Sequence, residues 1–577
     1  MRPTDGEGVR ERLIMTARKE RPAELLLKNA GVLNVFTGEI AKGNVAIESG
    51  FIAGVGDYTE AARVDDLEGR HLVPGFINSH CHVESSMVLP GVYCAEELRN
   101  GVTTLITDPH EVANVAGVRG ILFMLEATEN LPIDYYIQLP SCVPATAFEH
   151  SGAALAAHDL APLLSNSRVP GLGEMMNYPG VLNCEPRIME MLDMAQGRVI
   201  DGHAPGLRGP DLQAYAAAGI HTDHESVTFA EAMDKIRAGM AVLVREGSAS
   251  KNLEGIISGV VAGASGTDRM AFCTDDKHIA DVVSEGTISF CIRKSIELGL
   301  SVTEAYRMAS YNAARIFSLR GLGAIAPGWR ADLVSVGDLA EVTVDRVYKN
   351  GSRVFPEQVL AMARGAAGFE SGNSVNFAPL CEDDLKLQAT ADGLFPVIGV
   401  MGGQIITTKE FISARDAESG LSSRKLCKAA VVERHHATGN AGVALLSGYG
   451  LRRGAIASTV GHDSHNLIVV GTNDEDMLAA AEEIRRIQGG FVFVVNGVVE
   501  GEAPLPVFGL MNDGDEAEFI EAVESLIKNV RASGVPDGVD PLITLSFLAL
   551  PTIPALRVTD MGVFDVEEFW FVTRKSL

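Results

Sequence analysis

VPGFINSHCH, residues 73–82, is an apolar run that ends in His80, Cys81 and His82. Side chains two apart on a strand share a face, so both imidazoles reach one ion from the end of one strand. Cys81 faces the other way and packs. Taken alone, this HxH is equally well explained by two partly buried histidines satisfied by backbone. Its neighbours along the chain change that. Short apolar runs ending in polar or charged residues recur as TTLITDPHE (103–111), DYYIQLPS (134–141), VPGLGEMMN (169–177), GRVIDGHAPG (197–206), GIHTDHES (219–226), MAVLVREGS (240–248) and MAFCTDDKH (270–278). Helical patterns such as AEAMDKIRAG (230–239) and VTEAYRMASYNAARIF (302–317) separate them. Eight strand-then-helix units over roughly 250 residues predict an α/β chain built on a (β/α)8 TIM-like barrel, whose site gathers at the C-terminal strand ends.

Working outward, ELLLKNAGVLNVFTGEI (24–40) and GNVAIESGFIAGVG (43–56) precede the barrel, and ADLVSVGDLAEVTVDRVYKNGSRVF (331–355) follows it. Apolar and alternating runs broken by Gly and Asn read as strands and hairpins, and the two flanks are expected to pair into one small β-rich domain. Beyond residue 370, β-like runs such as KAAVVERHH and AIASTVGHDSHNLIVVG mix with helical EDMLAAAEEIRRIQ. An α+β domain is expected there, after the small, polar junction ARGAAGFESGNSVN. The domains are therefore placed at 1–72, 73–320, 321–370 and 371–577, the first and third forming one composite unit.

At 577 residues the chain exceeds one ordinary core. Its net charge of -27 disfavours binding to a phosphate backbone and favours solubility. Eight cysteines without a CxxC pair fit a reducing cytosol. No apolar stretch is long enough to span a bilayer, and the charged first residues lack a secretory signal core. A cytoplasmic, non-membrane protein is expected.

His80 and His82 have company. Glu174, His203, His224 and Asp275 stand at the ends of four other predicted strands. Such convergence predicts a shared centre of two divalent ions, with Glu174 bridging through its two oxygens. Imidazoles and carboxylates suit Zn, Mn or Fe better than Mg or Ca. Two ions sharing a water would supply hydroxide near neutral pH, and Asp275 is expected to act as general base and proton carrier. The absence of PCxxC excludes a cytidine-type zinc deaminase.

This set, an HxH, a bridging residue, two later histidines and a final Asp, resembles the amidohydrolase superfamily. Within it the chain resembles the adenine deaminase family, through PGFINSHCHVESSM, GVTTLITDPHEVANV, GLGEMMNYPGV, DGHAPG, VREGSASKN and TDDKH, and in the C-terminal third ERHHATGN, GAIASTVGHDSHNLIVVGTNDEDM and LPVFGLM. Asn78-Ser79 departs from the more familiar acidic-glycine pair, and Cys81 from an aliphatic residue. The resemblance implies hydrolytic deamination of adenine, a place in purine salvage, Glu174 in place of a carbamylated lysine, and Mn or Fe ahead of Zn. It also implies an acid near N1 of the ring, from among Glu84, Glu225 and Glu246. Arg245 and Ser248 are candidates for the purine edge, weighed against plain loop structure around Gly247. A homodimer or larger assembly is expected. The alternatives are another aminopurine or a cyclic amide as substrate, or a binding homologue without catalysis.

Asp108, His110 and Glu111 are expected either to orient the metal ligands or hold another ion, or simply to begin a helix, Asp108 capping it and Pro109 at its first position. His435, His436, His462 and His465 read as a loop closing over the barrel mouth, with a separate metal site and surface histidines as the other readings.

Overall fold

The computed structural model describes residues 8–263, 266–365 and 372–574. The motif-bearing runs form eight strands: β1 Phe76–Cys81, β2 Val102–Thr107, β3 Asp134–Ile137, β4 Gly171–Met175, β5 Val199–Gly202, β6 Thr222–Asp223, β7 Ala241–Arg245 and β8 Met270–Cys273. They pair in parallel as β1–β2–β3, β4–β5 and β6–β7–β8. Single parallel bridges join Leu139 to Leu172, past β3 and into β4, and Cys81 to Asp275, returning from the end of β8 to β1. Between β5 and β6, the His221 N–H donates to the Ile200 carbonyl at 3.0 Å. Strand contacts thus run round a closed circuit. Parallel neighbours need crossover connections. Phe229–Arg237 is one, its first turn capped by Thr228, which accepts from the Glu231 N–H.

Two side chains stitch the first strand to the last. Asn78 donates to Thr274 Oγ1 at 2.8 Å, and Ser79 Oγ donates to the Phe272 carbonyl at 2.6 Å. The unusual pair before the histidines therefore has a packing role, holding His80 in register with Asp275.

Strands from both flanks share one sheet. His71–Pro74 pairs antiparallel with Leu333–Val336, joining Ala23–Leu33, Ile40–Glu48 and Phe51–Gly56 to Val344–Lys349 and Ser352–Val354. A buried ion network ties this sheet to the starts of β2 and β3. Lys349 Nζ donates to Asp332 Oδ2 and to the Thr103 carbonyl, both at 2.8 Å, and lies 3.0 Å from Asp134 Oδ2. Arg330 donates to Asp332 at 2.7 Å and also pairs with Asp134.

The C-terminal region is β-rich. Eight strands run in the order Thr407–Ile412, Phe395–Val400, Ala441–Ser447, Leu426–Val432, Leu467–Gly471, Ala455–Ser458, Gly490–Val495 and Val498–Pro504. Helices Asp474–Ile487 and Glu516–Ala532 pack with it. The expected boundary at 370/371 lies outside the described residues, as do residues 1–7. Asn512 donates its backbone N–H to the Met87 carbonyl at 2.8 Å, and Asn466 donates to the His150 carbonyl at 2.7 Å. These contacts set the C-terminal region over the end of the circuit where the strand-end histidines lie.

Candidate metal centre

β1 delivers His80 and His82 side by side, and the second ring nitrogen of each fixes its tautomer. His82 Nδ1 lies 2.8 Å from the Asp108 carbonyl, an acceptor only, so this nitrogen carries the proton. His80 Nδ1 lies 2.9 Å from the Asp201 carboxylate. Both Nε2 atoms then turn lone pairs inward, 3.2 Å apart. In a buried site two facing lone pairs repel unless a proton or a cation lies between them.

Glu174, at the end of β4, sits where the other donors meet. Its Oε1 is 3.2 Å from His82 Nε2 and 3.3 Å from His110 Nδ1. Its Oε2 is 2.6 Å from His203 Nδ1 and 3.3 Å from His224 Nε2. His203 is steered by Tyr215, whose hydroxyl accepts the His203 N–H and donates to the Met175 carbonyl, tying β5 to β4. Asp275 Oδ1 lies 3.0 Å from His82 Nε2, and Oδ2 accepts from Arg245 at 2.7 Å. Its φ of 57° is left-handed, uncommon for a residue with a Cβ; its N–H donates to the His80 carbonyl at 3.1 Å, which holds the turn.

Charge decides what this cluster wants. Four carboxylates (Glu174, Asp201, Glu225, Asp275) face one guanidinium, that of Arg245. Burial opposes the charged form of Asp275, yet Arg245 and the two imidazoles hold its carboxyl well below the usual range. Against burial, Arg245, His203 and His224 hold Glu225 down at about 2, and the carboxylates of Asp201 and Asp275 push His80 up to about 10, so they call for positive charge at its Nε2, a proton or a cation. Both nitrogens of His224, His110 Nδ1 and Asp108 Oδ1 are buried with no hydrogen-bond partner. Donor atoms of His80, Glu174 and His224, of His80, His82 and Asp275, and of His82, His110 and Glu174 lie within 4.8 Å of one another in each group. Excess acid, inward lone pairs and unpartnered imidazoles fit divalent cations held by nitrogen and oxygen.

The other candidates divide. Asp108 does not cap its helix: Pro109 occupies that position, and the Asp108 carboxylate accepts the Glu174 N–H at 2.9 Å. A Cβ at Gly173 would collide with that carboxylate, so the glycine before Glu174 is required. Arg245 holds Glu225 and Asp275 through its terminal nitrogens, and its Nε is buried with no hydrogen-bond partner. Ser248 Oγ is bonded to Asp281 and accepts the His278 N–H, the loop alternative. Glu246 accepts the Leu253 N–H at 3.2 Å, at the start of helix Leu253–Gly263. Glu84 accepts the Val112 N–H at 3.2 Å through Oε1, while its Oε2 is buried and unpartnered. Burial and the adjacent Glu111 push its carboxyl up to about 7.

His462 Nδ1 lies 3.1 Å from Glu111 Oε1, and His465 Nε2 lies 3.7 Å from Glu111 Oε2. His465 Nδ1 accepts the Gly461 N–H at 3.2 Å, which places the ring proton on Nε2. That nitrogen then turns its proton toward Glu111, which favours a clamp of imidazoles on a carboxylate, while the donor atoms of the three residues also lie within 4.8 Å of one another, as a separate metal site would need. His435 and His436 bond the Ser464 and Ser151 carbonyls at 2.8 and 3.2 Å, bracing those loops. Asp201 was not among the sequence candidates. Its position two before His203 on β5 repeats the spacing of the HxH, and that was the available signal.

Nitrogen and carboxylate donors converging at the ends of parallel strands define a metal centre. The comparisons with known proteins agree with that architecture. Residues 71–354 match the amidohydrolase family, and residues 404–570 match the adenine deaminase C-terminal domain. The chain is 44% identical to adenine deaminase 2 of Carboxydothermus hydrogenoformans over 96% of this chain and 98% of that protein. It is also 44% identical to an adenine deaminase of Clostridium acetobutylicum, with the same coverage of each, 96% and 98%. The solved structure of an enamidase, a member of the amidohydrolase superfamily, overlaps at 17% identity and a TM-score of 0.43, covering 57% of this chain and 95% of that one. The chain belongs to the adenine deaminase family of amidohydrolases.

Proposed function

We infer that the protein is a metal-dependent hydrolase that deaminates adenine to hypoxanthine and ammonia. Family membership supports the reaction, and the paired inward Nε2 atoms of His80 and His82 are the observation that carries the metal. The closed strand circuit is read as the (β/α)8 barrel of amidohydrolases, with its site at the C-terminal strand ends. His80, His82, Glu174, His203, His224 and Asp275 would hold two divalent ions, Glu174 serving both through its two oxygens. Mn or Fe is favoured over Zn.

When bound, divalent ions supply Lewis acidity and lower the pKa of a water toward about 7. The chain's own groups then handle protons and exclude solvent. Asp275 is kept ionised by Arg245 and so accepts a proton at Oδ1, the oxygen facing the donors, and returns it to the departing amine. Glu225 is held low by the same guanidinium, which makes it a poorer proton donor than Glu84. Glu84, near neutrality with Oε2 free, is the acid assigned to N1 of the ring. The segment around His462 and His465 closes the site, where His80 and His224 are buried at 0% and 1% exposure. Among the described residues no helix is long and apolar enough to cross a membrane, and all eight cysteines are free; a cytoplasmic location and a homodimer or larger assembly complete the reading.

The deciding experiment is reconstitution with Mn, Fe or Zn, followed by turnover of a panel of aminopurines and cyclic amides. Adenine should lose its absorbance with release of one ammonia, and metal content should track activity. Turnover of a cyclic amide with no action on adenine would move the chain to another amidohydrolase reaction.

A further inference from the structure

We propose that Asp463, from the C-terminal region, is a positioning residue for the metal centre, acting through His110. The inference rests on the metal-centre reading above and adds a ligand and its support to it. His110 opens the helix His110–Ala116 after β2 and is 5% exposed. Its Nδ1 has no hydrogen-bond partner and points at Glu174 Oε1, 3.3 Å away, in one donor group with His82. If Nδ1 gives its lone pair to a cation, the ring proton must sit on Nε2. What Nε2 faces is Asp463 Oδ1 at 3.8 Å, longer than a hydrogen bond but a direct charge contact in a buried setting.

Asp463 has little other reason to be there. It is 2% exposed, and its Oδ2 has no partner. A buried carboxylate is costly unless paired, and the other imidazole near it, His462 Nδ1, is 3.9 Å away. Metal-binding histidines commonly pass their second ring N–H to a carboxylate, which fixes the tautomer and the ring. His80 already does so with Asp201. Asp463 faces the second ring nitrogen of His110 in a comparable way, but at charge-contact distance and from the other end of the chain. The clamp of His462 on Glu111, next in sequence to His110, holds both partners in place. In HDSH, then, the histidines anchor the segment and the aspartate between them reaches toward the donors.

The test needs no turnover. Full-length wild type, Asp463→Asn, His110→Asn and the double variant are loaded with Mn(II), and release of the metal to a chelator is followed. Two ions bound by wild type test the underlying reading; the differences between variants test this one. Asp463→Asn should loosen one ion about 10–100-fold, leave the other ion and the melting temperature of the metal-free protein unchanged, and add nothing when His110 is already replaced. Metal release equal to wild type overturns the proposal. So does an effect of Asp463→Asn that persists undiminished in the His110→Asn background, which would mark a purely structural role.

Discussion

Two clusters of buried charge lie at opposite ends of the same parallel strands, and they differ in one respect. At the strand starts, Arg330, Asp332 and Lys349 are at most 9% exposed, and with Asp134 they form two cations against two carboxylates. Asp332 Oδ1 accepts the Asn350 N–H and Oδ2 takes Arg330 and Lys349. None of their side-chain atoms is buried without a partner. At the strand ends, carboxylates outnumber the lone guanidinium and several imidazole nitrogens are unpartnered. Burying a charge without compensation costs several kcal/mol, so a complete network is an end in itself, whereas an incomplete one of this size is arranged for something that arrives. The same strands carry a structural lock at one end and a receptive site at the other.

Removing metal breaks the comparison most sharply. Chelation should bring deamination to background, and two equivalents of Mn(II) should restore it. The lock, holding no vacancy for a cation, should keep the metal-free protein folded, as judged by circular dichroism. Full activity at a metal content far below one ion per chain would end the metal reading.

Asp275→Asn comes next. The variant keeps the shape of the side chain and removes the proton acceptor, so kcat should fall by about 10²–10⁴-fold. Arg245 loses one of its two carboxylates but keeps its pair with Glu225, so the variant should stay folded with a modest fall in thermal stability. A variant within a few-fold of wild type in kcat would take the proton-carrying role away from Asp275.

The same exchange at the other end should cost more stability and spare the chemistry. Asp332→Asn leaves Arg330 and Lys349 short of a partner, and breaking a buried pair costs about 3–5 kcal/mol. Urea unfolding should show that loss, while metal stoichiometry and kcat of the folded enzyme stay at wild-type values. The sign with pH follows. Burial alone would raise the Asp332 pKa, but Lys349 and Arg330 more than offset it and hold the carboxyl below its ordinary value. Its contribution is therefore present above the unfolded pKa of about 3.9 and is lost as pH falls through the folded value. The gap in stability between wild type and Asp332→Asn should be constant near neutrality and shrink below about pH 4. A gap that widens on acidification would contradict the assignment of the charge to Asp332.

The strand-end donors were legible because β-strand periodicity is short-range: His80 and His82 announce a common face, and each later donor closes its own apolar run. Asp201 obeys the same period with His203, but an Asp two before a His signals less chemistry than an HxH does. Proximity in sequence misled elsewhere. Arg245, Glu246 and Ser248 are near neighbours, yet the first turns to Glu225 and Asp275, the second to the Leu253 N–H, and the third to Asp281. Where a chain leaves its strand, period two no longer governs direction. Asp463 meeting His110 across some 350 positions depends on how two regions dock, which no local pattern encodes.

That docking supplies the smallest and most discriminating expectation, because His462 and His465 grip the same carboxylate in different ways. His462 is set between Glu111 at 3.1 Å and Asp276 at 3.9 Å, and the Ser85 hydroxyl lies 2.9 and 2.5 Å from those two acids. Removing its ring leaves Glu111, 1% exposed, without its closest cation and frees the segment proposed to close the site. His465 is 3.7 Å from Glu111, and its Nδ1 serves the turn from Gly461. His462→Ala should therefore lower kcat/KM by about 10-fold, equivalent to about 1.4 kcal/mol, and His465→Ala by less. The order matters more than the size. If the segment is a lid held by charge, the residue with the shorter contact to Glu111 governs. A larger loss at His465 would make the turn itself the essential feature, and unchanged kinetics in both variants would remove the lid and leave the strand-end site to close by its own loops.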